Sequence, residues 1–467
     1  MIIGREKEIE DLKRAYSSEY SEFVAVTGRR RIGKTFLIRE VFNYKFTFQH
    51  SGLANQKTRQ QLKEFQQSLI KCGMKKCRVP QDWFDAFFLL SEFLDSQKKG
   101  KKVVFIDEMP WMDAPRSNFV SALEHFWNGY ASARKDILLI ICGSSTSWII
   151  NNIYKNHGGL HNRVTERINL QPFTLRECMQ YVKSRGLVLS KRQIAEGYMI
   201  MGGVPFYWAQ LQKGLSLDQN VDNLFFAPDG KLRYEYNELY NSLFKNPEPY
   251  IQIVNALGKK KIGMTREEIL VETSLADNGK FKVYLDDLTA CGFVSTYNTF
   301  GKPKNCLVFQ LKDQYTLFYF KFLAKNEIND SNFWTHNIDT PLRNTWEGLA
   351  FEQLCFAHIA QIKQKLGISG IYSAVYSWQT KEDGAQIDML IDRADNVVNV
   401  CEIKFSRKDY AISEDVMENI FHKIERFSSV SKTSKAVHLT MITAMPLVKN
   451  EQWNDVQSVV TLDDLFK

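Results

Sequence analysis

The sequence predicts an α/β protein built from several domains, and three observations support this. Strand-like apolar runs alternate with amphipathic helical stretches over about the first 230 residues, as in a parallel sheet covered by helices. Two more strand-like runs, joined by a short turn, lie near the carboxyl terminus. The chain has 467 residues, which is too long for a single hydrophobic core. We therefore predict four segments, residues 1–175, 176–245, 246–325 and 326–467.

The first predicted strand, residues 23–27, leads directly into the pattern G-x-x-x-x-G-K-T. Gly28 and Gly33 let the backbone turn tightly enough for its N–H groups to converge on phosphate oxygens, and Lys34 adds a positive charge for the β and γ phosphates. Thr35 would offer its hydroxyl to Mg²⁺, and the helix that follows points its positive end at the same anion. The pattern predicts a nucleotide-phosphate site; the alternative is a glycine-containing turn between a core strand and a core helix.

Three further apolar runs complete the strands of this predicted sheet: residues 45–49, 103–106 and 137–142. The run at 103–106 ends in Asp107 and Glu108, and the carboxyl ends of parallel strands meet at one edge of a sheet. We therefore expect Asp107 to hold the water shell of Mg²⁺ and Glu108 to orient or deprotonate the attacking water. A capped strand exit is the alternative explanation for this acidic pair.

Two later segments carry groups suited to the γ-phosphate. The fourth strand ends at Ser144, Ser145 and Thr146, where one hydroxyl either senses the γ-phosphate or caps the next helix. Arg163 and Arg167 follow a Gly-Gly pair. A guanidinium directed at the γ-phosphate accelerates phosphoryl transfer, whereas a solvated surface arginine is the alternative identity of each.

The middle segment has the pattern of a winged helix-turn-helix. We predict three helices: residues 250–257, a helix that begins with the capping box at 265–268, and residues 280–291. Two predicted strands follow at 293–297 and 307–311, with a wing loop at 301–304 between them. Lysines at 259–261, 280 and 282 suit phosphate contacts with DNA of low sequence specificity. Asp286 and Asp287 would repel DNA if they faced it, and such units also serve as protein–protein joints.

The last segment contains a second set of carboxylates. A helix beginning near residue 344 places Gly348 and Glu352 on one face, and two alternating strands at 385–392 and 397–404 carry Asp388, Glu402 and Lys404. A hairpin can gather these side chains, and clustered oxygen ligands suit Mg²⁺ or Mn²⁺. Such a metal activates water for attack on a phosphodiester while Lys404 aligns it. Charges that simply alternate along an exposed strand are the alternative.

Several motifs together carry a family resemblance: Ile3-Gly4-Arg5-Glu6, the phosphate loop, Asp107-Glu108, Cys142-Gly-Ser-Ser145, Asn162-Arg163 before Ile168-Asn-Leu-Gln-Pro-Phe173, and Met201-Gly-Gly-Val-Pro205. Over about the first 230 residues the chain resembles the prokaryotic AAA+-like ATPases of the "archaeal ATPase" family. The resemblance implies an ATPase core followed by a helical lid. It also implies that Gly4 and Arg5 lie near the base, and that Arg163 lies near the γ-phosphate, in cis or across a subunit boundary.

A second resemblance concerns the carboxyl-terminal segment. Gly348-x-x-x-Glu352, Gln386-Ile-Asp388 and Glu402-Ile-Lys404 are similar to the core of restriction-endonuclease-like PD-(D/E)xK nucleases. Proteins of the ATPase family named above often end in such a domain, and residues 461–466 resemble their terminal segment. The resemblance implies a nuclease fold, which some related domains keep without cleaving.

Composition narrows the class of protein and leaves two functions open. A net charge of +8 is compatible with a polyanionic partner, and the apolar run at 137–142 is far too short to span a membrane. Without a signal-peptide pattern, and with eight scattered cysteines that we interpret as reduced, we expect a cytoplasmic protein. One interpretation is an ATP-driven, DNA-associated protein whose nucleotide state controls a metal-dependent nuclease. The other is an ATPase switch or scaffold with a non-cleaving binding module; a homo-oligomer or a protein partner is compatible with both.

Overall fold

The computed structural model describes residues 2–155, 158–244, 246–298, 300, 307–324, 330–380 and 384–467. The predicted wing loop at 301–304 lies outside the described residues. The chain divides into two compact units, Met1–Pro172 and Phe173–Lys467. Among the described residues, no helix combines the length and apolar character needed to cross a bilayer.

The first unit is built on a five-stranded parallel sheet. Its strands are β1 (Glu22–Gly28), β2 (Phe48–Ser51), β3 (Lys102–Asp107), β4 (Ile137–Cys142) and β5 (Glu166–Leu170), in the spatial order β2-β3-β4-β1-β5. β3 and β4 are buried along their whole length, because helices cover both faces of the sheet. The predicted α/β class and parallel sheet are confirmed.

The described part of this unit contains six α-helices: α1 (Glu6–Ser17), α2 (Lys34–Val41), α3 (Thr58–Lys71), α4 (Trp83–Asp95), α5 (Phe119–Phe126) and α6 (Thr146–Ile149). Asp82 precedes α4, and its carboxylate accepts a hydrogen bond from the Asp85 amide and so caps the first turn. One hydrophobic cluster joins α3, α4 and α5 to one face of the sheet, and a second joins α1 and α2 to the other.

Two strands differ from the sequence prediction. β2 begins three residues later than predicted, because Asn43 and Tyr44 adopt left-handed backbone angles and only at Thr47 does the chain come alongside β3. β5 was not predicted as a strand. It lies at the sheet edge and buries only Ile168 and Leu170, so its sequence lacks the continuous apolar run of the central strands.

The second unit opens with five helices in the segment predicted to be a lid: α7 (Leu175–Ser184), α8 (Lys191–Met201), α9 (Pro205–Trp208), α10 (Leu217–Val221) and α11 (Glu235–Leu243). Then follow α12 (Glu248–Gly258), α13 (Arg266–Thr273) and α14 (Gly279–Ala290), with a three-stranded sheet of β6 (Met264–Thr265), β7 (Val294–Asn298) and β8 (Leu307–Leu311) in the order β6-β8-β7. The Thr265 capping box is present, with Glu268 as its partner. α15 (Gln314–Phe318) and α16 (Phe333–His336) come next.

The carboxyl-terminal part of this unit is a mixed five-stranded sheet with helices beside it. Its helices are α17 (Pro341–Ala357), α18 (Ile359–Lys365) and α19 (Glu414–Ser431), and its strands are β9 (Ser373–Gln379), β10 (Gln386–Arg393), β11 (Val397–Lys404), β12 (Ala436–Thr443) and β13 (Ser458–Thr461). β10 and β11 form the expected antiparallel pair, whereas β11, β12 and β13 run parallel. The spatial order is β13-β12-β11-β10-β9.

The predicted lid and the predicted carboxyl-terminal segment share buried contacts within the unit Phe173–Lys467, and the boundaries predicted inside this unit stay predictions. His358 Nε2 accepts a hydrogen bond from the Leu175 amide at the start of α7. The Arg343 guanidinium at the start of α17 pairs with Asp218 of α10 at 2.7 Å. Residues 173–467 therefore form one compact unit.

Candidate functional sites

The phosphate loop joins β1 to α2 and its geometry depends on its glycines. Gly28 has a φ of 135°, and a Cβ there would lie 2.4 Å from the Leu170 carbonyl oxygen, so a side chain is excluded. Gly33 stands at the amino terminus of α2 with a left-handed backbone. Lys34 is buried, and its Nζ donates to the carbonyls of Gly28 (2.8 Å) and Arg29 (2.9 Å). The loop therefore closes around a single ammonium group at the positive end of a helix.

Asp107 connects the loop to the end of β3. Its Oδ2 accepts a hydrogen bond from the Thr35 hydroxyl at 2.9 Å, and its Oδ1 accepts from the Cys142 thiol at 2.6 Å. Burial, followed by the charge of Asp107, raises the pKa of the Cys142 thiol well above its usual range, so this thiol stays protonated and remains a donor. The two predicted Mg²⁺ residues, Thr35 and Asp107, are thus in direct contact.

Glu108 lies one residue beyond the strand in an unusual backbone conformation. Its φ of 46° and ψ of 41° place it in the left-handed region, which costs a non-glycine residue on the order of 1 kcal/mol. Its carboxylate accepts hydrogen bonds from the Ser144 hydroxyl (2.7 Å) and the Ser144 amide (3.1 Å). The acidic residue after β3 and the hydroxyl after β4 therefore form one unit at the carboxyl edge of the sheet.

The other two hydroxyls of that segment have different surroundings. Thr146 is buried, and its Oγ1 accepts a hydrogen bond from the Gly28 amide at 3.2 Å. Ser145 occupies the amino-terminal cap position of α6 without a side-chain capping bond. The hydrogen bonds of Ser144 and Thr146 thus join the segment after β4 to Glu108 and to the phosphate loop.

Three further residues, Gly4, Arg5 and Arg163, have roles implied only by the family resemblance. Arg163 is exposed, and its Nε donates to the Gly159 carbonyl at 3.3 Å, a contact within its own loop. Gly4 and Arg5 precede α1, both with positive φ. Arg5 is buried, and its guanidinium donates to the Gln171 carbonyl at 2.6 Å, which ties the amino terminus to the end of β5.

Comparison with known proteins agrees with this geometry. Residues 2–211 match the family described as an ATPase domain predominantly from Archaea. This segment is a P-loop ATPase domain. An uncharacterized protein of Methanocaldococcus jannaschii is 23% identical over 397 residues, and the match covers 84% of each chain.

Two solved structures are among those to which this chain is similar. A Walker-type ATPase of Pyrococcus abyssi is 16% identical with a TM-score of 0.47, and the match covers 68% of this chain and 95% of that chain. The ORC2 protein of Aeropyrum pernix, in its ADPNP–ADP complexes, is 13% identical with a TM-score of 0.41, and the match covers 76% of this chain and 95% of that chain. The ATPase assignment rests on the family match and the loop geometry.

The second unit contains a cavity of about 590 Å³ that brings together all four predicted residues of the carboxyl-terminal site. Glu352 comes from α17, Asp388 from β10, and Glu402 and Lys404 from β11. Glu402 and Lys404 lie two residues apart and therefore face the same side of the sheet, with 2.8 Å between Lys404 Nζ and Glu402 Oε1.

Lysines neutralise the carboxylates of this cavity. Lys261, which follows α12, places its Nζ 2.5 Å from Glu352 Oε2. Lys423 on α19 donates to both oxygens of Glu402, at 3.0 and 2.9 Å. Neither contact was predicted from the sequence, because Lys261 lies in a lysine run interpreted as phosphate-binding and nothing in the sequence distinguishes Lys423 from other lysines.

The charges in this cavity perturb one another. Burial, followed by the charge of Asp388, raises the pKa of Glu352, and burial, followed by the charge of Glu402, raises the pKa of Asp388. Burial lowers the pKa of Lys404, but the adjacent Glu402 carboxylate outweighs this effect and the net shift is upward.

The carboxylates do not converge as a ready metal site. Among the described residues, no three Asp, Glu, His or Cys side chains are grouped closely enough to hold one ion. Asp388 Oδ2 accepts a hydrogen bond from the Ile403 amide at 3.0 Å, while Glu352 and Glu402 are held by their lysines. Two of the three expected carboxylates, Glu352 and Glu402, are therefore paired with lysine ammonium groups, which neutralise the charge that a metal ion would otherwise neutralise.

The lysines at 259–261 in the predicted winged segment also form ion pairs with carboxylates. Lys259 pairs with Glu272 and Lys260 with Glu268, in addition to the pair between Lys261 and Glu352. On α14, Asp287 is buried and accepts a hydrogen bond from the Tyr250 hydroxyl at 2.5 Å, so it does not face solvent. Asp287 is therefore not placed to repel DNA. The three lysines Lys259, Lys260 and Lys261, which we expected to contact phosphates, are paired with carboxylates instead.

Proposed function

We propose that the ATPase domain hydrolyses ATP and that its nucleotide state controls a divalent-cation-dependent phosphodiesterase site in the unit Phe173–Lys467, which acts on DNA. The observation that carries the proposal is the cavity at the β10–β11 hairpin. It collects Glu352, Asp388, Glu402 and Lys404 from three separate elements. Glu352 and Glu402 are buried and Asp388 is half-buried. Carboxylates grouped in this way are costly unless cations neutralise them, and such sites in proteins generally have a chemical role.

The residues of the phosphate loop fit an ATP–Mg²⁺ complex in donor chemistry. Lys34 and the backbone amides of the loop suit phosphate oxygens, and the Lys34 ammonium is held in the loop by the carbonyls of Gly28 and Arg29. Thr35 and Asp107, whose side chains are in contact, would be the oxygen donors for Mg²⁺, which would neutralise charge on the phosphates when bound.

Glu108 acts as the base in this proposal. With its carboxylate held by Ser144, it orients a water and accepts its proton. Whether Ser144 keeps or releases its hydrogen bond to Glu108 would depend on whether the γ-phosphate is present. The exposure of Arg163 supports a role in trans, at the nucleotide of a second copy of the chain.

The carboxyl-terminal cavity offers oxygen donors suited to Mg²⁺ or Mn²⁺, the ions that activate water for phosphodiester attack when bound. Asp388 and Glu402 would hold the ion, with Glu352 as a third donor, and Lys404 would orient the nucleophile and balance charge on the phosphate. Lys261 must leave Glu352 for that donor set to assemble. Because Lys261 follows α12, a movement of the predicted winged segment would set the availability of the site.

A second function, an ATPase switch or scaffold with a non-cleaving binding module, is supported by a different observation. Glu402 is held by two lysines, Lys404 and Lys423, and the described carboxylates form no ion-ready group. A site neutralised in this way would bind a partner without cutting it.

Cleavage assays separate the two functions. Wild-type protein with Mg²⁺ or Mn²⁺, with and without ATP, is incubated with single-stranded, duplex and branched DNA. We expect cutting that depends on ATP and is lost in Asp388→Asn and Glu402→Gln. The matched control is Asp392→Asn, on the same strand but paired with Lys435 at 2.5 Å, which should leave cutting intact. DNA that stays whole under all conditions would favour the scaffold.

A further inference from the structure

A cleft on the unit Met1–Pro172 lies away from the phosphate loop. It has a volume of about 750 Å³, and its lining residues include six lysines and, within the described part of the chain, no Asp or Glu. We call it the basic cleft, and its lysines are Lys13, Lys45, Lys98, Lys99, Lys101 and Lys102. It opens where β3 begins, at Lys102, whereas the nucleotide residues follow the opposite ends of the parallel strands. The basic cleft is therefore separate from the ATP site.

Two of the six lysines support the fold and four are available. Lys102 is buried and pairs with Asp136 at 2.5 Å, and Lys101 donates to the Ser18 carbonyl at 2.8 Å. Burial lowers the pKa of Lys101, as expected for a half-buried ammonium group. The remaining four are exposed and have no ion-pair partner within the described ranges: Lys13, Lys45, Lys98 and Lys99. Four unneutralised cations around one concavity attract a polyanion.

Aromatic rings lie among these charges. Tyr16, Phe42 and Phe46 line the cleft, with ring centroids 5.8 Å apart for Tyr16 and Phe42 and 6.1 Å apart for Phe42 and Phe46. Tyr16 is 44% exposed, which leaves part of its ring open to a ligand. A basic groove interleaved with accessible aromatic rings is the arrangement that binds unpaired bases and their phosphates.

We infer that the basic cleft binds single-stranded nucleic acid, with its phosphates on the four exposed lysines and a base stacked on Tyr16. Duplex DNA keeps its bases stacked and paired, so it offers no free base face to Tyr16. An anionic lipid surface would contact the lysines but supplies no base to stack on the ring. The inference depends on neither ATP hydrolysis nor the carboxyl-terminal cavity.

The lysines are tested by salt dependence. Full-length protein is titrated with fluorescein-labelled oligothymidylate, the matched duplex, and phosphatidylserine vesicles. Each phosphate contact contributes about 0.7 to the slope of log affinity against log salt, so replacing the four lysines by Gln should reduce the slope by about 3. Between about 50 and 200 mM salt, the wild type should then lose about 50-fold more affinity than the variant. ATP turnover and melting temperature should not change, because the four side chains are exposed.

The aromatic floor is tested separately. Tyr16→Leu keeps apolar packing on Phe42 and removes the stacking face, and should weaken oligothymidylate binding about 10-fold. The matched control Tyr20→Leu, at a 66% exposed tyrosine that does not line the cleft, should leave binding unchanged. Unchanged oligothymidylate affinity in the quadruple variant would overturn the inference. So would loss of vesicle or duplex binding with oligothymidylate binding retained. If DNA cutting is absent while these effects occur, only the proposed function fails.

Discussion

Lys261 pairs with a carboxylate of the carboxyl-terminal cavity, and we predict that removing this lysine strengthens metal binding there. Its ammonium lies 2.5 Å from Glu352 Oε2, with side chains 32% and 11% exposed. Two unit charges about 4 Å apart interact by about 4 kcal/mol at an effective dielectric constant of about 20, and partial exposure of the lysine reduces this to about 1–2 kcal/mol. An arriving cation must overcome that interaction.

Replacement of Lys261 by methionine removes the competing charge and keeps the length of the side chain. Because about 1.4 kcal/mol corresponds to tenfold in an equilibrium constant, Lys261→Met should tighten Mn²⁺ binding about tenfold. Without metal, the same variant should lose about 1–2 kcal/mol in its free energy of unfolding, because Glu352 is left buried beside Asp388. Added Mn²⁺ should restore that stability.

Calorimetric titration with Mn²⁺ measures the affinity, and thermal unfolding with and without Mn²⁺ measures the stability. Lys260→Met is the matched control: it removes the neighbouring lysine, which pairs with Glu268 outside the cavity, and should leave Mn²⁺ affinity unchanged. Equal or weaker Mn²⁺ binding by Lys261→Met would refute the competition between lysine and metal. Loss of binding in Asp388→Asn establishes that the ion occupies this cavity.

Three further predictions concern other contacts. Ser144→Ala removes the hydroxyl that holds Glu108 and should lower kcat for ATP about 5-fold with little change in KM, which steady-state kinetics measures. Lys423→Met should reduce the free energy of unfolding in urea by about 2 kcal/mol, because Glu402 stays buried and keeps only one lysine partner. Burial lowers the pKa of His358 to about 4, so the unfolded chain takes up this proton first as pH falls below about 6.5, and the stability contributed by this group falls. Between about pH 7 and 5, His358→Gln should therefore lose about 2 kcal/mol less stability than wild type in urea unfolding.

Local patterns predicted much of the first unit because the relevant signals lie within short stretches of sequence. The central strands β1, β3 and β4 are continuous apolar runs, and the phosphate loop is a contiguous motif. β5 escaped prediction because an edge strand with alternating burial resembles a polar loop. The contact between Ser144 and Glu108 spans 36 residues, and only the parallel pairing of β3 with β4 brings these two residues together.

At the carboxyl-terminal cavity, the sequence predicted one pair of strands but not the rest of the sheet or the lysine partners. The β10–β11 hairpin was predictable because both strands alternate around a short turn, so Asp388, Glu402 and Lys404 were placed together. The strands β12 and β13 were not predicted, because they pair with strands that are not joined to them by a short turn. The strand β9 was also not predicted. The lysine partners were not predictable either, because Lys261 and Lys423 reach the cavity from distant elements.

The central claim is that the phosphate loop and Glu108 together hydrolyse ATP. Its most direct test is ATP turnover by wild type, Lys34→Ala and Glu108→Gln, with nucleotide binding measured in parallel. We predict turnover by wild type, loss of binding in Lys34→Ala, and retained binding with turnover at least about 100-fold lower in Glu108→Gln. Wild-type turnover in both variants would contradict the account.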